Sequence, residues 1–108
     1  MRRARIGDLD QHIVLEQPVD ALDDIGSVTR IWSLVDEVWA QITPISGRED
    51  FTAERDESVL THRILIRWRP DVTGAMRLRH NARCFNIHAA IDWDERRRFM
   101  LLQCQEIA

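Results

Sequence analysis

The chain has 108 residues, of which 44% are apolar and 31% charged, and its formal net charge is −3. These values indicate one folded domain over residues 1–108 and exclude a disordered chain. The slight acidic excess also argues against a nucleic-acid coat protein, because such proteins are strongly basic.

The first half of the chain shows the alternation of apolar and polar residues that is typical of β-strands. Strands are predicted over 12–17 and 27–33, and a long loop containing Gly26 joins them as a hairpin. A further strand is predicted over 34–45. On that strand Trp39 shares the polar face, so it either lies under a loop or anchors a partner.

The second half continues the strand pattern, with predicted strands over 59–69, 76–80, 83–91 and 99–107. The first of these is predicted to be the longest, and its alternation places Ile64 and Ile66 on the face opposite Leu65. The strand over 83–91 is predicted to turn Ile91 inward with the other apolar residues of its face. About six to seven short strands separated by turns predict a mainly β fold, a small β-barrel or sandwich.

A polar insert, Ser46 to Ser58, separates two of these strands. Its beginning, SGRE, fits a capping box, in which serine and glutamate cap each other's backbone N–H groups. Its apolar face is little more than Phe51 and Ala53, and a helix of about a dozen residues is marginal in water without packing. We therefore predict a short helix or partly ordered loop that Phe51 tethers weakly.

The sequence contains no pattern for enzymatic or metal chemistry. Its four histidines form no H-x-x-x-H or H-E-x-x-H pair, and C-x-x-C, G-x-S-x-G and Gly-rich phosphate loops are absent. Cys84 and Cys104 lie in strand-like runs, where free thiols pack as small apolar groups. We therefore expect no catalytic site, metal or cofactor. We also expect a soluble protein of a reducing compartment with no membrane partner, because no signal-like or membrane-length apolar run occurs.

All 15 basic residues are arginine. This either reflects GC-rich codons or provides guanidinium groups for oriented, bidentate contacts at interfaces. Arg63, Arg67 and Arg69 form a stripe on one face of the longest predicted strand, and Arg96 begins an arginine run. We interpret Trp39 and these four arginines as candidate interface residues. The stripe favours, as an alternative, a small β-barrel module that binds nucleic acid through cationic grooves and exposed aromatic rings.

A series of short motifs runs along nearly the whole chain. They are Gly7-Asp8-Leu9, Asp24 to Gly26 before Trp32, Val38-Trp39-Ala40, Ser46-Gly47-Arg48-Glu49, Thr61-His62-Arg63, Arg67-Trp68-Arg69-Pro70, Met76-Arg77, Phe85-Asn86-Ile87 and Asp94-Glu95-Arg96. No single motif is specific, but their order and spacing are. In this arrangement the sequence resembles the bacteriophage head–tail joining family, also called head closure or stopper proteins, which includes the equivalent component of gene transfer agents.

The resemblance implies a small β-barrel with a helix-bearing insert, acting as a structural head–tail connector without a catalytic site. Such a protein is monomeric when free and joins a six-fold ring below the portal and adaptor. It helps to retain the packaged double-stranded DNA and docks a tail terminator or another tail-side protein. It is made in the bacterial host cytoplasm and resides in the virion or virus-like particle. In some relatives the insert projects into the DNA channel, so the channel-facing candidates carried over to this chain are Arg48, Glu49, Asp50, Glu54, Arg55, Asp56 and Glu57.

Overall fold

The computed structural model describes residues 5–45 and 60–107, which form a closed ring of six antiparallel strands. One turn of 3-10 helix, Ile6–Asp8, precedes them. The strands are β1 (Gln11–Leu22), β2 (Val28–Pro44), β3 (His62–Arg67), β4 (Arg77–His80), β5 (Arg83–Trp93) and β6 (Phe99–Ile107). Around the ring they run β1, β2, β3, β6, β5, β4, and β4 pairs back onto β1. The predicted mainly β barrel is confirmed, whereas the helix predicted within 46–58 lies outside the described residues.

The barrel interior is filled by apolar side chains from every strand. Those that are almost fully buried are Phe85, Ile13, Leu15, Ile64, Ile66, Leu78, Leu102 and Cys104. Each large side chain of this kind contributes about 1.5–3 kcal/mol when it leaves water, so this cluster is the main source of stability. Both cysteines are free thiols, as predicted, and burial raises the pKa of the Cys104 thiol to about 12.

A second, smaller cluster lies on the other face of β3. Leu65, Leu9 and Phe99 are buried there, and Trp93 and Leu101 pack against them. Leu65 therefore points away from Ile64 and Ile66, as its place in the alternation predicts. The amino-terminal segment covers it with Leu9, and the start of β6 covers it with Phe99.

The first two strands are longer than the sequence predicts. The strands predicted over 27–33 and 34–45 are one strand, β2, and β1 continues to Leu22. The boundary predicted after Gln17 is therefore wrong. Pro18 is tolerated inside β1 because this stretch pairs with β2 alone among the described residues, so the missing N–H interrupts no second ladder.

The hairpin loop is correspondingly shorter than predicted and consists of Asp23 to Ser27. Asp23 Oδ1 accepts hydrogen bonds from the backbone N–H groups of Ile25, at 3.0 Å, and Ser27, at 2.8 Å. Gly26 takes a positive φ of 86°, as predicted, a conformation that glycine adopts without steric cost. An aspartate cap and a glycine therefore set a tight turn at the end of a long hairpin.

Two expectations for the second half are also wrong. Of the strand predicted over 59–69, the described residues 60–69 contain only the six of β3, and residue 59 lies outside the described residues. At its carboxyl end the chain turns away after Arg67, before Pro70, which cannot donate to a ladder. Ile91 is 44% exposed rather than inward. The pairing of β5 with β6 shifts register between Ile87 and Ala89, and this bulge exchanges the two faces of the strand. After the bulge Ala90 packs against the core, and Ile91 lies on the outer face.

Candidate functional site

The outer part of the β1–β2 hairpin, residues 17–34, projects from the barrel, and we call it the arm. β1 pairs with β4 only from Val14 to Glu16, and β2 pairs with β3 only from Ala40 onward. Beyond these points the arm continues as a two-stranded ribbon for roughly 20 Å, at about 3.3 Å per residue. An isolated ribbon of this kind is only marginally stable in water, so the arm depends on contacts at its base or with a partner.

Large apolar side chains are exposed along the arm. Ile25, in the turn, is 87% exposed, and the cross-strand pair Leu22 and Val28 is 74% and 66% exposed. The remaining exposed apolar side chains of the arm are Val19, Ile31 and Leu34. Leu22 and Val28 lie on one face of the ribbon and Val19 and Ile31 lie on the other, because side chains of a strand alternate between its two faces. Exposed apolar side chains on both faces typically mark a segment that another molecule covers.

The base of the arm is held by a buried carboxylate. Glu16 is 6% exposed, and its oxygens accept from Arg77 at 2.8 Å and lie 3.4 Å from Arg79. The Arg77 guanidinium also lies 4.2 Å from the ring centroid of Trp32, on the arm. This chain of contacts links β1, β4 and β2, so the direction of the arm is coupled to the barrel wall.

A groove, which we call the Trp39 groove, lies where β2 separates from the chain after β3. Its two walls are residues 36–39 and 67–71, and its volume is about 710 Å³. Trp39 is 57% exposed and its ring centroid lies 5.0 Å from that of His12. Among the described residues no loop buries Trp39, which was one of the two interpretations of this residue. The other interpretation, an anchor for a partner, stays a proposal.

Arg69 bridges the two walls of this groove. It donates to Asp71 at 2.8 Å and 2.9 Å and to Asp36 at 2.7 Å. Hydrogen bonds to Asp71 and Asp36 raise the pKa of the Arg69 guanidinium above its ordinary value, and the hydrogen bond from Arg69 is the largest cause that lowers the pKa of each carboxyl. Arg69 thus holds the two walls of the Trp39 groove together.

A second groove, the arginine groove, lies on the other side of Trp68. It is lined by Arg5, Ile6, Arg67, Trp68, Arg97, Arg98 and Phe99 and has a volume of about 490 Å³. The Arg97 guanidinium lies 5.6 Å from the ring centroid of Trp68, and Arg98 pairs with Asp94 at 2.6 Å. Arg67 and Trp68 line both grooves, which therefore form one continuous surface.

The predicted arginine stripe is only partly assembled. Arg67 and Arg69 meet at the Trp39 groove, but Arg69 lies beyond the end of β3 and is not on its face. Arg63 is half-buried on β3, toward the insert, and Arg96 is exposed in the turn between β5 and β6. The structure therefore brings Trp39, Arg67 and Arg69 together and leaves Arg63 and Arg96 apart from them.

The chain enters and leaves the insert at one end of the barrel, where Ile45 N–H donates to the Thr61 carbonyl at 2.9 Å. His62 lies beside this point. Its Nε2 is 3.2 Å from Arg83 Nη2 and its Nδ1 is 2.9 Å from Thr61 Oγ1. Because a guanidinium only donates, Nε2 accepts and Nδ1 carries the proton. Burial and then the Arg83 charge lower the pKa of His62, so the network is built for a neutral imidazole.

Glu106 completes this network. Arg83 donates to both Glu106 oxygens, at 2.9 Å and 3.2 Å, and the Glu106 N–H donates to Thr61 Oγ1 at 2.7 Å. The hydrogen bond from Arg83 lowers the pKa of the Glu106 carboxyl. The base of the insert is therefore fixed by side chains of three strands and the segment before β3. The seven channel-facing candidates themselves, Arg48, Glu49, Asp50, Glu54, Arg55, Asp56 and Glu57, lie outside the described residues.

Within the described ranges no three His, Cys, Asp or Glu side chains converge as a metal ion would require. In the same ranges, no helix has the length and hydropathy needed to cross a membrane. The candidate contact surfaces of the described residues are the arm, the two grooves and a third groove of about 810 Å³ beside His62 and Arg83.

Sequence reasoning does not identify the arm or the arginine groove. Residues 18–27 contain a proline, a glycine and three aspartates, which are typical of a loop. The signal that could identify the hairpin is the symmetric placement of apolar residues about the turn, since Leu22 lies opposite Val28 and Val19 lies opposite Ile31. The arginine groove unites residues from three separate parts of the chain, and no local pattern predicts this.

Comparison with known proteins gives a consistent result. Residues 4–107 match the family described as phage head completion protein. The solution structure of protein SF1141 from Shigella flexneri 2a is similar, with 24% identity, a TM-score of 0.76, and 95% of this chain and 96% of that chain covered. A chain of the virion of a native gene transfer agent particle is also similar, with 24% identity, a TM-score of 0.64, and 97% and 98% covered. No curated protein matches this chain in sequence.

Proposed function

This chain belongs to the phage head completion protein family, and we propose that it is the head–tail connector of a phage-like particle. As a family member it is a structural protein of the virion head that associates with other head and tail proteins. In our proposal it forms a six-fold ring between the portal-side adaptor and a tail-side protein. There it retains the packaged DNA and provides the face on which the tail docks.

The observation that carries the proposal is the family match over residues 4–107. The described surface supports it, because a protein that acts by assembly needs exposed contact groups on a rigid frame. The frame is the closed barrel, and the contact groups are the exposed arm and the surface formed by the two grooves. Aromatic and arginine side chains, which dominate the centres of protein interfaces, meet in those grooves.

We propose a separate role for the insert, Ser46 to Ser58. It contains five acidic residues and two arginines, so it is net acidic. An acidic segment beside a DNA channel repels phosphates and limits adhesion of DNA to the protein, which favours passage of DNA during ejection. The likeness to a chain of a gene transfer agent virion shows a shared fold, and the position of the insert beside the channel rests on our proposal.

The alternative of a nucleic-acid-binding barrel is less well supported. Phe85, one of the aromatic rings that such a module requires on its surface, is fully buried. Arg77 and Arg83 are paired with Glu16 and Glu106, so they are not free to neutralise phosphates. The arginine groove is the feature that favours this alternative, and binding of a short oligonucleotide by the isolated chain, weakening steeply with salt, is its test.

The proposed function is tested by deleting the gene in the producing cell and imaging the particles. We expect DNA-filled or leaking heads without attached tails, and rescue when the gene is supplied in trans. Normal tailed particles in the deletion strain would refute the proposal.

The proposed role of the insert is tested by replacing Asp50, Glu54, Asp56 and Glu57 with their amide analogues. DNA retention or release should then change while the melting temperature of the isolated chain stays the same, and a large loss of stability would show that the insert belongs to the core.

A further inference from the structure

We propose that the tip of the arm docks into the Trp39 groove and the arginine groove of a second copy of this chain. The tip consists of residues 20–30, with Leu22, Ile25 and Val28 as its exposed apolar side chains. This inference rests on the proposed function, since it identifies the contact that would join neighbouring subunits of the connector ring.

The tip requires an apolar partner. The exposed fractions of Leu22, Ile25 and Val28 range from 66% to 87%, far above those of the core. At roughly 25 cal/mol per Å² of apolar surface, covering such side chains is strongly favourable. The turn is also preorganised by Asp23 and Gly26, so docking fixes little additional backbone freedom.

The Trp39 groove offers the matching surface. Its apolar groups are Val38, Trp39, Trp68 and Pro70, and Trp39 is more than half exposed. One wall is a strand edge, because the ladder between β2 and β3 ends at Ala40 and Ile66. An exposed edge beside an apolar groove suits an incoming β-ribbon, which can pair its backbone along the edge while its side chains fill the groove.

Charge favours the same partner. The tip carries three carboxylates, Asp20, Asp23 and Asp24, against a single arginine, Arg30. The arginine groove, continuous with the Trp39 groove, is lined by four arginines and no carboxylate. The Trp39 groove also carries Asp36, Glu37 and Asp71, so in this docking the carboxylates of the tip face the arginine groove and its apolar side chains face the Trp39 groove. An acidic tip against a basic groove steers association and fixes the register of the complex. Both complementary surfaces lie on this chain, so a second copy satisfies them without any further protein.

The contact cannot form within one chain. The tip and the groove are separated by the run of β2 from Val28 to Asp36, which contains one bulge near its end, at the step from Leu34 to Asp36. Together with the turn this run places them roughly 30 Å apart at about 3.3 Å per residue. The pairing is therefore between different patches of two copies. Such head-to-tail contacts generate a ring when the rotation closes.

The test is photo-crosslinking in particles purified from the producing cell. A photoreactive phenylalanine analogue replaces Ile25, and normal and ¹⁵N-labelled chains are expressed together. We expect cross-linked peptides that join Ile25 of one isotopic form to a residue lining either groove of the other, within 36–39, 67–71, 5–6 or 97–99. The same analogue at Ile91, an exposed apolar position on the barrel wall, is the control and should not yield this product.

The result also separates the two proposals. Cross-linking of Ile25 to a different head or tail protein, or to another part of this chain, would overturn the arm-in-groove contact while the proposed function stands. Absence of the unsubstituted chain from the particles would overturn both.

A charge exchange provides an independent test. Asp24→Arg and Arg67→Asp should each reduce incorporation of the chain into particles roughly tenfold or more, because each places like charges together. The double variant should restore incorporation. All three variants alter exposed side chains, so their melting temperatures should match the parent. Failure of the double variant to recover, with stability unchanged, would contradict the proposed pairing.

Discussion

The buried Glu16 carboxylate makes the base of the arm sensitive to loss of its partner. Arg77→Met removes the guanidinium at 2.8 Å and leaves Glu16, whose side chain is 8% exposed, with Arg79 at 3.4 Å. Breaking a buried ion pair costs about 3–5 kcal/mol when the remaining charge is uncompensated. Because Arg79 compensates part of that charge, we expect the free energy of unfolding to fall by about 2–3 kcal/mol.

The assay is urea denaturation followed by circular dichroism, with two matched variants. Arg30→Met removes an exposed arginine from the arm, where the pair with Asp20 is 3.5 Å long and both side chains are at least 60% exposed, so stability should change by less than about 0.5 kcal/mol. Glu16→Leu combined with Arg77→Met removes the buried charge as well and should recover most of the loss. If Arg77→Met is no more destabilising than Arg30→Met, the claim that the buried pair fixes the arm is refuted.

Three further predictions concern the core, the thiols and pH. Leu78→Ala should lower the free energy of unfolding by about 2–5 kcal/mol, because Leu78 is fully buried, whereas Leu22→Ala on the exposed arm should change it by less than about 0.5 kcal/mol; equal losses would contradict the assigned core. Iodoacetamide should alkylate the half-buried Cys84 before Cys104 in the native chain, since Cys104 is buried and its pKa is raised to about 12; mass spectrometry showing the reverse order would contradict this. The folded-state pKa of His62 lies below its ordinary value of 6.5. The stability linked to neutral His62 is therefore fully present above about pH 6.5 and is lost as pH falls through that value toward the folded pKa. Melting temperatures at pH 7.5 and 5.5 should differ more for the parent than for His62→Gln, and an equal difference would count against the neutral network.

The barrel follows from sequence where alternation is regular. Ile64 and Ile66 face inward and Leu65 outward, as the period of two requires. Alternation fails at Ile91 because a bulge adds one residue to β5 opposite β6, and the sequence HAAI carries no signal that locates it. A single extra residue exchanges the faces of everything that follows.

The arm shows a different limit of sequence reasoning. Pro18 and the three aspartates favour a loop by local propensity. A strand still forms there, because among the described residues this stretch pairs with β2 alone, and a proline is tolerated where only one side is paired. The Glu16–Arg77 pair at its base joins residues 61 positions apart. Contacts between residues so far apart in sequence form only when the barrel closes, and no local sequence pattern predicts that closure.

The candidate interface residues follow from residue type and not from position in the fold. The alternation of the strand places Trp39 on its polar face, and Trp39 is exposed there. The arginines could not be ranked in this way, because the sequence does not show that Arg69 is held by Asp36 and Asp71. The role of each as an interface residue stays a prediction.

The most direct test of the central claim is a reconstruction of the neck of the particle by electron cryomicroscopy. We expect six copies of the barrel in a ring between the portal-side adaptor and the tail-side protein, surrounding the DNA channel. A neck in which that position is filled by another protein, with this barrel absent or located elsewhere in the particle, would contradict the account.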